Sequence, residues 1–139
     1  MKFLVPFLLL LLLSSASKNP TLRVEITGIK NTEGLIEIGL YNKASTFPST
    51  TEQYKVQRVK VIAPITTVIF KDIPIGVYGI SIFHDKNKDK KCNLNWIGYP
   101  TEGFCFSNNF KPFLSAPKFK DVQFVVKANK TIQIKILNQ

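Results

Sequence analysis

From Thr21 to Leu137 the chain keeps returning to a period of two. Leu22, Val24 and Ile26 alternate with Arg23, Glu25 and Thr27, and Ile36, Ile38 and Leu40 alternate with Glu37 and Gly39. Successive strand side chains point to opposite faces, so this pattern describes strands with one buried and one wet face; an amphipathic helix would space its apolar residues by three and four. Between the first two runs, Lys30-Asn31-Thr32-Glu33-Gly34 has the polar, Gly-containing chemistry of a hairpin turn, which predicts that these two strands pair. Tyr54 to Ala63 is a third strand with Val59 and Val61 on one face, and Lys55, Arg58 and Lys60 mark it as an edge. Pro64 ends it, and Thr66 to Phe70 is the fourth.

Asp72-Ile73-Pro74-Ile75-Gly76 then turns into the clearest strand, Val77 to His84, in which Tyr78, Ile80, Ile82 and His84 share one face. The last two runs are Asp121 to Lys127, burying Val122, Phe124 and Val126, and Thr131 to Leu137, burying Ile132, Ile134 and Ile136; Ala128-Asn129-Lys130 joins them. Lys43 to Gln53 reads as a loop, with Pro48 in its middle and Phe47 as a hydrophobic peg. The expected fold is all-β, an antiparallel β-sandwich of about seven strands, immunoglobulin-like or transthyretin-like, with a closed barrel as the alternative.

A chain of 139 residues with 45% hydrophobic content fills one such domain and no second. Its first segment stands apart. Lys2 precedes an unbroken apolar run from Phe3 to Leu13, and Ser14-Ser15-Ala16 supplies small residues for cleavage, so residues 1–16 read as a secretory leader and residues 17–139 as the domain. The alternative is an uncleaved anchor, but the run is short for a span and no stop-transfer pattern follows. The mature chain is therefore expected to carry no transmembrane segment and to be periplasmic or secreted.

The formal charge of +10 falls by one with Lys2. Nucleic acid is not the expected partner, because the lysines are scattered over wet strand faces and export removes the opportunity. Loose attraction to an anionic envelope or acidic polysaccharide is what the charge allows.

The alternation breaks at Phe83 to Asn109, which holds the only His, the only Trp and both Cys. Asp85, Asn87 and Asp89 carry side-chain oxygens at every second residue, as in a loop that wraps calcium. Counted as such a loop, Lys91 and Asn93 continue the series. Lys90 stands where Gly belongs and Trp96 where a bidentate Glu belongs, although Glu102 could complete the sphere from the far limb. Lys86, Lys88, Lys90 and Lys91 oppose a cation there. The competing reading is a set of Asx turns, and calcium is the only cofactor the sequence suggests. In an oxidising compartment Cys92 and Cys105 read as a disulfide, with two free thiols as the alternative.

For ligand binding the candidates are His84, Trp96, Tyr99, Glu102, Asn108 and Asn109, because aromatic faces beside amides and carboxylates suit a sugar or peptide. Phe104 and Phe106 alternate and are equally suited to packing beneath the loop. Catalysis is not expected: His84 and Asp85 are strand neighbours pointing apart, and no nucleophile, metal triad or phosphate loop is present.

LRVEITGIKNTEGLIEIGLYN, FKDIPIGVYGISIFHDKNKDKK, GYPTEGFCFSNN and FKDVQFVV together resemble the bacterial secreted family called domain of unknown function 2141, over essentially the whole mature chain. The resemblance implies a small exported β-sandwich, in the style of transthyretin-like modules in which a Pro-x-Gly-x-Tyr turn opens a core strand, and implies no established activity. Family loops of the form HDENGNGKLDTN carry Gly and Asn where this chain has Lys88, Asp89, Lys90 and Lys91, and Cys92 is an addition; a bridge to Cys105 would then be a covalent clasp.

Three functions rank in order: a non-enzymatic extracytoplasmic module binding a ligand, cell-surface polymer or protein partner of the envelope through this loop; a purely structural envelope accessory; and a hydrolase using His84 and Glu102.

Overall fold

The computed structural model describes residues 18–137, so the leader expected over residues 1–16 lies outside it. Eight strands build two sheets: β1 (Leu22–Thr27), β2 (Leu35–Tyr41), β3 (Lys55–Lys60), β4 (Thr66–Phe70), β5 (Gly76–Asp85), β6 (Phe104–Phe106), β7 (Phe124–Val126) and β8 (Lys130–Lys135). One sheet has the order β4-β1-β8 and the other β3-β2-β5-β6, with β7 paired to the start of β5. A 3-10 turn over Ser107–Asn109 and one helical turn, α1 (Phe119–Val122), are the helical elements of the described residues. Among these residues no helix is long and apolar enough to cross a membrane.

The alternating apolar residues meet between the sheets. Leu22, Val24 and Ile26 of β1, Val68 and Phe70 of β4, and Ile134 of β8 face Ile36, Ile38, Leu40, Ile80 and Ile82, all sealed from solvent. Each such side chain contributes up to about 2 kcal/mol by leaving water, so this layer dominates the stability of the sandwich.

Pairing departs from expectation at the first turn. β1 and β2 do not form a hairpin: β1 pairs antiparallel with β4 and parallel with β8, whereas β2 lies between β3 and β5. The 28–34 connection crosses from one sheet to the other instead of reversing within one. It passes so close to the end of β5 that a Cβ on Gly34, at φ 73°, would stand 2.1 Å from the Asp85 carbonyl oxygen. Only glycine fits that passage. The edge position expected of β3 is observed.

The wet face expected of β2 is also dry. Glu37 and Tyr41 are buried, because aromatic side chains of β5 and β6, joined by Phe47 and Phe110 from the loops, cover the outside of the larger sheet. Phe83, Phe104, Phe106 and Val122 form this outer cluster, joined by Phe47, Cys92, Phe110 and Leu137. Phe47 serves as the expected peg, with its ring 5.0 Å from Tyr41, 6.2 Å from Phe106 and 6.1 Å from Phe119. β5 and β2 are therefore the middle of three layers: small sheet, large sheet, and a cap of loops.

Candidate functional site: the 86–103 loop

β5 ends on two buried residues that face opposite ways. His84 lies with the inter-sheet layer, and its Nε2 is 2.6 Å from the Glu33 carbonyl oxygen, which pins the crossing loop. The His84 backbone N–H donates to Gly103 (2.7 Å). Asp85 is equally buried and organises the turn that follows. Its Oδ1 accepts the N–H of Asp89 at 3.1 Å and its Oδ2 that of Lys90 at 2.9 Å. Asn87 Oδ1 accepts the same Asp89 N–H at 3.2 Å.

Asp89 then repeats the device, its Oδ1 accepting the Lys91 N–H at 2.8 Å and its Oδ2 the side-chain amides of Asn93 (2.9 Å) and Asn87 (3.2 Å). These bonds, that from Asn93 first, hold the Asp89 carboxyl below its ordinary range. Every side-chain oxygen of Asp85, Asn87 and Asp89 thus accepts an N–H from the loop itself. Among the described residues no three His, Cys, Asp or Glu side chains gather as a metal site.

Glu102 closes the loop from its far limb. Its Oε1 accepts the Lys86 N–H at 3.0 Å, while Oε2 is buried with no hydrogen-bond partner among the described residues. Beneath the loop, Arg58 Nε stands 2.6 Å from Oε2 of the buried Glu37. Burial raises the Glu37 carboxyl pKa, and Arg58 offsets part of that rise.

Residues 93–101 form a small hairpin. Thr101 N–H donates to the Asn93 carbonyl (2.9 Å), Asn95 N–H to Tyr99 (2.8 Å) and Gly98 N–H to Asn95 (3.0 Å). The Asn95 side-chain oxygen takes the N–H groups of Ile97 (3.1 Å) and Tyr99 (2.9 Å). Gly98, at φ 83°, supplies the left-handed residue that closes such a turn. Trp96 and Ile97 are left at the corner, 95% and 66% exposed, with Leu94 at 57% beside them. Tyr99 anchors the hairpin to the outer cluster, edge-on to Phe104 at 5.5 Å.

Of the six residues proposed for ligand contact, only Trp96 and Tyr99 reach the surface of this hairpin. His84 and Glu102 are buried in separate layers. Asn108 and Asn109 stitch the fold: Asn108 donates to the Gln123 carbonyl (2.9 Å), and Asn109 accepts from Lys135 N–H (2.7 Å) and donates to Gln133 (3.4 Å). Ile97 and Leu94, the most exposed neighbours of Trp96, were not among the six; the tip sequence Asn95-Trp96-Ile97-Gly98 carries the turn signal that marks them.

The expected disulfide is not formed, and Cys92 and Cys105 are free thiols. Strand alternation is the reason. Cys105 sits between Phe104 and Phe106 and points the other way, into the inter-sheet layer, whereas Cys92 packs with the outer cluster. Burial raises both thiol pKa values, and Glu102 and then Glu37 add to the rise at Cys92. Ser107 offers no nucleophile either, since its buried Oγ accepts the Ile80 N–H (2.9 Å) and donates to the Val122 carbonyl.

No curated protein and no solved structure matches the chain. A family model does match, described as an uncharacterized protein conserved in bacteria (DUF2141), over residues 24–134. That span runs from β1 into β8 and includes the whole 86–103 loop. The chain belongs to the domain of unknown function 2141 family.

Proposed function

We propose that the protein is an exported, non-enzymatic binding module, periplasmic or secreted, which engages a cell-envelope partner through the 93–101 hairpin. The carrying observation is Trp96, 95% exposed at the corner of a turn whose backbone is tied by its own hydrogen bonds. Contiguous exposed apolar side chains on a fixed scaffold are characteristic of interaction sites. The burial of His84 and Glu102 in different layers speaks for structural duties and against hydrolysis.

The test is co-sedimentation of the exported chain with a bacterial envelope fraction. Trp96→Ala combined with Ile97→Ala is expected to lower association at least tenfold while the melting midpoint stays within about 2 °C, since neither side chain is buried. Equal association of variant and parent would refute the proposal.

A second reading adds calcium. Glu102 Oε2 favours it, being a buried carboxylate oxygen without a hydrogen-bond partner beside a loop of alternating oxygens. Asp85, Asn87 and Asp89 would hold the ion and Glu102 would complete the set. Millimolar calcium is then expected to raise the melting midpoint and a chelator to reverse the rise, because a ligand that binds only the folded state stabilises it. An unchanged midpoint assigns the three residues to the Asx clasp alone.

A further inference from the structure

We propose that the hairpin tip is an interfacial anchor for an anionic phospholipid bilayer; this rests on the binding reading above and names its partner. Three observations converge. The first is composition at the tip: Leu94, Trp96 and Ile97 are exposed and Tyr99 is half-exposed, the residue types that settle at the boundary between headgroups and acyl chains.

The second is charge. Lys86, Lys88, Lys90 and Lys91 lie in the turn whose Asp89 and Asn87 bond Asn93 at the hairpin base, and no ion pair engages them among the described residues. Lys88 and Lys90 hold φ of 59° and 63°, where Asn or Gly would fit more easily. Lys91 is in part offset by Asp89 of the same turn, and a lysine-rich cluster at the foot of an apolar tip matches a surface that is anionic outside and apolar within.

The third observation separates a bilayer from a sugar. Recognition of a glycan needs free planar hydrogen-bonding groups around the aromatic ring. Here Asn95 spends its side-chain oxygen on Ile97 and Tyr99, and Asn93 spends both ends of its amide on Asp89 and Asn87. The same internal bonds remove backbone N–H groups from the tip that would resist a less polar surrounding. The surface presented is therefore apolar with a basic collar.

Trp96 is the chain's single tryptophan and reports on its own insertion. The exported chain is titrated with phosphatidylglycerol vesicles, with phosphatidylcholine vesicles as control, and Trp96 emission is followed. The expected result is a blue shift and quenching by shallowly brominated lipid with the anionic vesicles, reversed by high salt. Each Lys→Gln change among Lys86, Lys88, Lys90 and Lys91 should weaken binding by up to about fivefold. Ile97→Ser should weaken it further while leaving the melting midpoint unchanged.

Emission unaltered by anionic vesicles overturns the proposal, as does an equal shift with both lipids. If envelope co-sedimentation that depends on Trp96 persists while vesicles leave the emission unchanged, the binding module stands and its partner is a protein or polymer. If neither assay responds, both readings fall.

Discussion

Glu37 is the residue whose environment most differs from its place in the alternation. It occupies an outward strand position yet is only 3% exposed, because Cys92 and the outer aromatic cluster cover it. Its carboxyl pKa is raised above the ordinary 4.5, with desolvation the leading cause. A carboxyl that binds its proton more tightly when folded lowers stability as pH rises through the interval above that ordinary value. Glu37→Gln is therefore expected to gain stability relative to the parent as pH rises above that ordinary value, read as a growing difference in melting midpoint. Arg58→Ala should do the opposite, costing about 2 kcal/mol at neutral pH by leaving the buried carboxylate unpaired; the figure is held below that of a fully buried pair because Arg58 is 37% exposed. Sequence alone did not reveal this site. Period two identifies which residues share a face, but what covers the face depends on Phe47 of a loop and Phe104 and Phe106 of β6 arriving from places distant in sequence.

Among the elements, strands longer than about five residues were legible and their partners were not. β1 to β5 follow the alternation closely, since five or six residues display the period clearly. β6 escaped because Phe104–Phe106 is three residues long, all of them buried, and so gives no polar phase to read. Pairing is a longer-range matter: the Lys30–Gly34 link has hairpin chemistry but delivers the chain to the opposite sheet, where His84 and the Asp85 backbone receive it. Asn108 and Asn109, candidates for ligand contact on sequence, instead join elements, as does Ser107 before them. Ser107 bridges β5 to α1, Asn108 reaches the residue before β7, and Asn109 reaches β8. Ser107→Ala strands the Ile80 N–H and the Val122 carbonyl in a dry interior and is expected to cost about 2 kcal/mol, measured by denaturant unfolding. Asn108 and Asn109 hold φ of 61° and 50°, a conformation asparagine tolerates better than most residues. The local clue was present in the Asn pair, but it indicated a turn and not a destination.

At the scale of the whole molecule, the three layers make a covalent staple unnecessary. The two thiols lie on opposite sides of the larger sheet, so a reductant is expected to leave the melting midpoint unchanged; a fall of several degrees would show that a bridge had formed. In the native state Cys105 should resist a thiol reagent and Cys92 should react slowly, with both accessible after denaturation, since burial holds both in the protonated, unreactive form. The parallel pairing of β1 with β8 gives the sandwich a direction. Leu22 and Lys130 open their strands at one end, while Thr27 and Lys135 finish at the other, where Leu137 is hydrogen-bonded to Phe104 at the exit of the 86–103 loop. The amino-terminal side and the Trp96 hairpin are thus separated by a strand length, about 20 Å. A lipid surface entered by that hairpin therefore meets the molecule at the pole opposite the one where β1 begins.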